Sequence, residues 1–401
     1  MKFRRSIYVL FAVAATLVHA QVARADAVLD WNETGLAVVV ASGQRPPDGA
    51  RAMAMLHVAM FDAINAVEPK YRAYAYPSKA SGSVSAEAAA AAAAQTVLAK
   101  LFPDQAQKIE AAYTASLAKI ADGNAKTSGI TLGRDVGSRC LAMRANDGAG
   151  GAATYKQKVT PGVYVPTAFV VSSEWAKVKP WFMRETTQFR PGPPPALTDA
   201  VWSRDLEEIR AIGGRNSAMR TPEQTDVARF WMVTGAPSWN PIVRSLAKSG
   251  NLSPIDNARL FALVNMAASD AFVAVFDAKY AYEFWRPVTA IRYESDPGWL
   301  PLVETPMHPE YPCAHCISAA AVGTVLESQF GKDTVPTITM VSPTAPGVTR
   351  SWTRISDYVH EVDNARIWGG IHYRNSTRVG EQMGTMIGEL AVKSFMAPLE
   401  Q

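Results

Sequence analysis

The chain has 401 residues, of which 48% are apolar and 19% charged. That profile belongs to an ordered globular protein with a sizeable core and excludes a disordered one. A formal net charge of +4, with no basic run and no interleaved aromatic-basic patch, argues against a nucleic-acid partner.

Lys2, Arg4 and Arg5, followed by an apolar stretch over 7–18, read as a secretory signal with small-residue cleavage patterns ending at Ala20 and Ala25. About twelve apolar residues are too few to span a bilayer of ~30 Å. Roughly residues 1–25 are therefore expected to be removed and the mature protein to be periplasmic or secreted. No later stretch reads as long and apolar enough to cross a membrane.

Helical periodicity then dominates. Met55, Val58 and Ala59 lie on one face of a helix over 51–65. Ser85 caps an alanine-rich helix that runs to about Phe102, with Pro103 at its end. Ile109, Tyr113, Leu117 and Ile120 continue the helical spacing, and Ile130, Val136, Leu141 and Met143 mark a further helix in which Cys140 reads as a buried thiol. Residues 148–198 differ: prolines abound and periodicity is lost. Trp175, Trp181, Phe182 and Phe189 are too many aromatics for a free linker, so this stretch is expected to be a long ordered excursion packed on the body. Helices resume at Thr221-Pro222-Glu223-Gln224, which has the form of a capping box. Ser253-Pro254 starts a helix expected to reach about Trp285, with Pro287 terminating it. Val322, Val325 and Leu326 mark a helix after His315, and Met383, Ile387 and Leu390 the last. The expected architecture is all-α: one multi-helix bundle over 26–401 with a long irregular proline-rich excursion.

Three segments within about 253–396 carry an inventory suited to a tetrahedral oxyanion. The first holds Lys279 and Arg286-Pro287; at seven residues apart both cations can point from one helix face. The second is Pro312-Cys313-Ala314-His315-Cys316, which places an imidazole and free backbone N–H groups at a helix start. The third runs from Arg366 through Gly369-Gly370 to His372, where the glycines let the chain bend and His372 opens the final helix as a nucleophile or metal ligand. Each piece also has a plainer reading: solvated helix charges, a hydrogen-bonded structural histidine, an ordinary glycine turn. The cysteine pair further admits a thiol redox site, a zinc site with His308 and His315, or a structural disulfide, although no thioredoxin-like βαβ pattern surrounds it.

With the three segments in order, the chain resembles the vanadium-dependent haloperoxidases and the type-2 phosphatidic acid phosphatases, which share Lys-x6-Arg-Pro, Pro-Ser-Gly-His and Ser-Arg-x5-His. The likeness to bacterial haloperoxidase-like proteins extends upstream to Arg51 and His57, Pro193-Pro194-Pro195, Arg220-Thr-Pro-Glu-Gln224 and Asn257-Ala-Arg259. The resemblance implies that Lys279, Arg286 and Arg366, with Cys313 and Ala314, hold the oxygens of vanadate or phosphate. It makes His372 the axial vanadium ligand or phosphorylated nucleophile and His315 the acid-base residue. His308 falls where algal bromoperoxidases carry a second histidine, a possible halide site. The implied substrates are hydrogen peroxide and halide, or a phosphate ester in the same pocket; a catalytically silent anion-binding protein is a third reading. The chain departs from the pattern at Cys313, Ala314, Ala365 and Ser376, the last standing where many relatives place an aspartate that orients the final histidine.

Overall fold

The computed structural model describes residues 26–153, 155–166 and 168–400; the signal-like segment lies outside them. Among the described residues there are thirteen α-helices and one short antiparallel hairpin. The first group is α1 (Ala27–Ala41), α2 (Pro46–Val67), α3 (Ala86–Leu101), α4 (Ala106–Ala118) and α5 (Asn124–Met143). After the excursion come α6 (Ala200–Ile212), α7 (Pro222–Phe230) and α8 (Asn240–Ser249). The last group is α9 (Pro254–Tyr282), α10 (Pro287–Glu294), α11 (Ala314–Phe330), the hairpin β1 (Ile338–Val341) and β2 (Thr349–Trp352), α12 (Ile355–Trp368) and α13 (Arg374–Ser394). The all-α reading holds.

Local start signals act as their chemistry dictates. The Ser85 hydroxyl accepts the Ala88 N–H, Thr221 and Gln224 form the reciprocal capping box, and Ser253 accepts from Asp256 N–H. The helix that Ser253 starts, α9, is 29 residues long with a mean hydropathy of 1.6 in its most apolar window. That corrects the sequence expectation, because by length and composition this helix could cross a bilayer. Its apolar window is wholly buried by protein, chiefly α2, α11 and the short 3-10 turn Ser173–Lys177 of the excursion, with α13 beyond them, so here the hydrophobicity serves as the centre of the core.

Two helix pairs approach unusually closely. Gly380, Gly384 and Gly388 recur every four residues on α13 and face α11; a Cβ on Gly384 would stand 2.2 Å from the Ile317 carbonyl oxygen. Gly133 on α5 meets Ala89 of α3 in the same way, at 2.2 Å. A backbone oxygen cannot swing aside, so Gly384→Ala should force α11 and α13 apart and destabilise by about 1–3 kcal/mol, the usual scale of overpacking. Urea unfolding measures this; an unshifted midpoint would mean the two helices separate without cost.

The excursion is packed on the body as its aromatics predict. The buried Asp270 carboxylate of α9 accepts the backbone N–H groups of Trp181, Phe182 and Met183 at 2.6, 2.8 and 3.1 Å. Trp181 donates its indole N–H to Ser269 and lies under the Arg144 guanidinium, 4.2 Å from ring centroid. Farther along, Tyr164 N–H donates to the Glu283 carbonyl and Trp285 N–H to that of Gly162, tying the excursion to the segment that follows α9.

Candidate oxyanion site

The end of α9 decides where the first two cations go. The helix stops at Tyr282 because Glu283 takes a left-handed conformation (φ 49°), and the chain runs extended to Arg286, which precedes α10. Pro287 therefore opens a helix instead of closing one, since its fixed φ and missing N–H suit the first helical turn. Lys279 and Arg286 consequently do not share a helix face; the break redirects Arg286 into the site.

Lys279 is fully buried. Its ammonium donates to the carbonyls of Pro309 (2.9 Å), Glu310 (2.8 Å) and Pro312. Three donors meet three acceptors, so none is left to hold an oxyanion. Here Lys279, which the family resemblance makes an anion ligand, fixes the loop that leads into α11. Burial pushes its pKa well below the usual lysine value, with Arg286 adding to the effect and Glu310 opposing it.

Arg286 is also buried, and burial lowers its pKa to about 10. Nε donates to the His308 carbonyl (3.0 Å), NH1 to the Ile371 carbonyl (2.8 Å) and to His372 Nε2 (3.3 Å), and NH2 lies 3.0 Å from His308 Nδ1. One of the five guanidinium N–H groups remains. His308 thus braces Arg286, and it packs edge-on against Phe276 at 5.3 Å.

His372 lies two residues before α13, in the turn that Gly370 makes possible. Gly370 has φ +80°, and a Cβ there would stand 2.3 Å from the Gly213 carbonyl oxygen, so no other residue fits. The turn folds Ile371 and His372 N–H back onto the Arg366 carbonyl. Nδ1 of His372 is 2.7 Å from Glu310 Oε1, which also accepts Tyr373 N–H at 3.1 Å. Burial holds His372 well below the ordinary histidine value, and Arg286 and Lys279 add to this. A neutral imidazole donating through Nδ1 leaves a lone pair on Nε2, in agreement with the N–H that Arg286 directs at it. Glu310, likewise fully buried, is pushed up to about 7 by desolvation, against the pull of Arg286 and Lys279.

Glu310 is the residue the sequence reading missed. Ser376 stands where the family resemblance puts an orienting aspartate; the structure supplies the carboxylate from another segment, and Ser376 contributes its backbone carbonyl to Cys313 N–H at 3.2 Å. The available signal was a lone acid between Pro309 and Pro312.

His315 lies in the first turn of α11, as its position after the proline suggests. It hydrogen-bonds the Val233 backbone, while its Nε2 is buried without a partner. Burial, then Arg366, depresses its pKa. Arg366 donates through NH1 to the Trp231 carbonyl at 2.5 Å, and its buried Nε has no partner. Burial and Arg286 bring its pKa to about 9. The turn after α7 therefore positions both Arg366 and His315, through Trp231 and Val233. Cys313 and Cys316 form a disulfide, and Cys313 Sγ accepts Cys316 N–H, so Cys313 has no thiol proton to offer an anion. In the disulfide neither sulfur is a thiolate, so the pair offers no zinc ligand. Among the described residues no group of three or more His, Cys, Asp or Glu side chains is arranged to hold a metal ion.

What remains for an oxyanion is coherent. Arg366 Nε and His315 Nε2 are buried polar atoms without partners, Arg286 keeps one donor, and the first-turn N–H groups of Ala314 and His315 have no intrahelical acceptor. His372 Nε2 stands beside them. The set fits a tetrahedral anion with one imidazole ligand; its open donors come from Arg286, Arg366, His315 and the α11 N-terminus, while Lys279 is bonded to three carbonyls and Cys313 to Cys316.

Comparison with known proteins points the same way. Residues 259–401 match the model of the VCPO second helical-bundle domain. The chain is 26% identical over 392 residues to the vanadium chloroperoxidase of Curvularia inaequalis, an alignment covering 74% of this chain and 64% of that relative's length. Its fold is similar to that of the first bacterial vanadium-dependent iodoperoxidase solved, with a TM-score of 0.82 at 22% identity, covering 93% of this chain and 98% of that one. It is also similar to a holo-type bacterial vanadium-dependent chloroperoxidase, with a TM-score of 0.69 at 18% identity over 87% and 92% of the two chains. The C-terminal part of this chain is thus similar to the VCPO second helical-bundle domain, and the fold of the whole chain is similar to that of the solved bacterial vanadium-dependent haloperoxidases.

Proposed function

We propose that the protein is an exported enzyme that uses vanadate held at His372 to oxidise halide with hydrogen peroxide. The observation carrying this reading is the pair of buried, unpartnered polar atoms, Arg366 Nε and His315 Nε2, beside a histidine whose Nε2 lone pair is kept available by Glu310. Vanadate bound there would supply the Lewis-acidic centre at which peroxide is activated toward halide. The chain's own residues do the rest. Arg366, the remaining Arg286 donor and the Ala314 and His315 N–H groups hold the oxygens and balance their charge. His372 donates its Nε2 lone pair. His315 Nε2, anchored through its other nitrogen to Val233, takes a proton from incoming peroxide and returns one to the departing oxygen. His308, bonded to Arg286, lies beside the site as the candidate halide neighbour. The buried disulfide suits an oxidising compartment, in keeping with export.

A phosphomonoesterase is the second reading, favoured by one feature: a carboxylate at 2.7 Å from Nδ1 makes His372 a better nucleophile toward phosphorus. One assay set on the purified mature protein separates them. Bromide or iodide oxidation by peroxide that depends on added orthovanadate is expected. Ester hydrolysis inhibited by vanadate, with no halide oxidation, would replace the first reading by the second; phosphate binding with neither activity would leave an anion-binding protein.

A further inference from the structure

Beside the oxyanion site, a groove of about 440 Å³ opens between the excursion and the last turns of α9. That volume lies within the range of small-molecule sites. Its aromatic surfaces are Tyr155 and Tyr280, whose rings lie 5.5 Å apart. Both hydroxyls are turned into the protein, Tyr280 donating to the Val171 carbonyl and Tyr155 to that of Tyr164 at 3.2 Å, which leaves ring surface as lining. Two ion pairs brace the walls: Arg190 grips Asp277 through two bonds of 2.7 Å, and Lys158 pairs with Glu283. Those pairs occupy both carboxylates of the lining. Glu174, close to Tyr280, is taken by Arg45 at 2.6 Å. Lys156 and Lys177 are exposed at the groove and make no ion pair among the described residues, so its net charge is positive.

A row of rings connects this groove with the oxyanion site. Tyr280 stacks on Phe276 at 6.3 Å, and Phe276 meets His308, the brace of Arg286. We infer that the groove binds an aromatic anion, a phenol or other electron-rich ring carrying a carboxylate, and that this is the organic acceptor of the oxidised halide. The ring lies against Tyr155 and Tyr280, and the carboxylate is drawn to Lys156 and Lys177. This substrate class rests on the haloperoxidase reading. In the halogenation itself, hypohalous acid made at the neighbouring site meets the ring: a ring carbon's electron pair forms the carbon–halogen bond, the halogen–oxygen bond breaks, and the ring proton and departing hydroxide leave as water.

The test uses salicylate and phenol as probes, with the mature protein saturated with orthovanadate so that the oxyanion site is not available to salicylate. Calorimetric titration is expected to show salicylate binding at least fivefold tighter than phenol, and the double variant Lys156→Glu/Lys177→Glu is expected to erase that preference. The variant leaves the catalytic groups untouched, so oxidation of iodide to triiodide should be unchanged while the kcat/KM ratio of a dihydroxybenzoate to resorcinol falls. Equal binding of salicylate and phenol, or a preference that survives in the double variant, overturns the proposal. A groove that binds salicylate as described in a protein that oxidises no halide overturns the haloperoxidase reading and the acceptor role, and leaves the aromatic-anion site standing.

Discussion

Replacing His372 by alanine should abolish vanadate-dependent halide oxidation and any ester hydrolysis together, a loss on the order of a thousandfold or more, as expected when a group bonded to the reacting centre is removed. Its Nε2 is the only imidazole nitrogen in the site held as a lone-pair donor by both a carboxylate on the far side and an arginine N–H on the near side. The other donors remain in the variant: Arg366 Nε, His315 Nε2 and the α11 first-turn amides. Phosphate binding should therefore persist, weakened, while chemistry disappears. Calorimetry with phosphate alongside the peroxide and ester assays measures both; a variant that keeps full turnover would remove His372 from the mechanism, and one that loses phosphate binding along with its circular dichroism would only report misfolding. The unpaired Glu310 carboxylate left behind costs stability, and His372→Gln, which can still donate to Glu310, controls for that.

Glu310→Gln should lower vanadate affinity and kcat/KM by roughly 10–100-fold, the usual cost of losing the partner that orients a ligating histidine. The amide oxygen can still accept from His372 Nδ1 and Tyr373 N–H, so the geometry can survive while the charge that strengthens Nε2 as a donor is lost. The pH dependence gives this a second readout. Burial raises the Glu310 pKa from 4.5 to about 7. The ionised form that supports His372 is therefore gained as pH rises through about 7, and the rising limb of the wild-type profile there should flatten in Glu310→Gln. Stability runs the other way. The folded protein binds this proton more tightly than the unfolded chain, so the contribution is present below about 4.5 and is lost as pH rises toward about 7. Glutamine mimics the protonated acid, so the variant should lose less stability than the wild type between pH 5 and pH 8. Urea unfolding at the two pH values checks the sign; parallel behaviour of the two proteins would mean that folding leaves the Glu310 pKa unshifted.

Much of the architecture was legible because its signals are local. Ser85, Thr221 with Gln224, and Ser253 are side chains that satisfy N–H groups two or three residues away, and such contacts need no knowledge of the rest of the chain. The helices α1, α6, α8, α10 and α12 went unnoticed. Two of them had a legible face: Trp202, Asp205 and Ile209 line one side of α6, and Ile242, Val243, Leu246 and Ala247 one side of α8, at helical spacing. The β1–β2 hairpin also went unnoticed, with two strands of four residues each. The aromatics of the excursion correctly indicated packing, but nothing in them named Asp270 as the carboxylate that gathers three successive N–H groups.

The site divides in the same way. The sequence by itself determined which residue types assemble, because Arg286, His315, Arg366 and His372 occur at spacings that a helix start and a glycine turn can serve. It also determined the positive character of the pocket and the helical class of the fold. Only the tertiary structure decided what each group has left to offer. Lys279 spends its three donors on carbonyls some thirty residues away in sequence, and Cys313 gives up its thiol to Cys316. Glu310 reaches His372 across 62 residues, while Arg366 and His315 keep one buried atom each without a partner. The physical reason is that a hydrogen-bonding capacity is exhausted by whichever partners the fold brings within about 3 Å, and for these side chains most of the deciding partners lie far away along the chain.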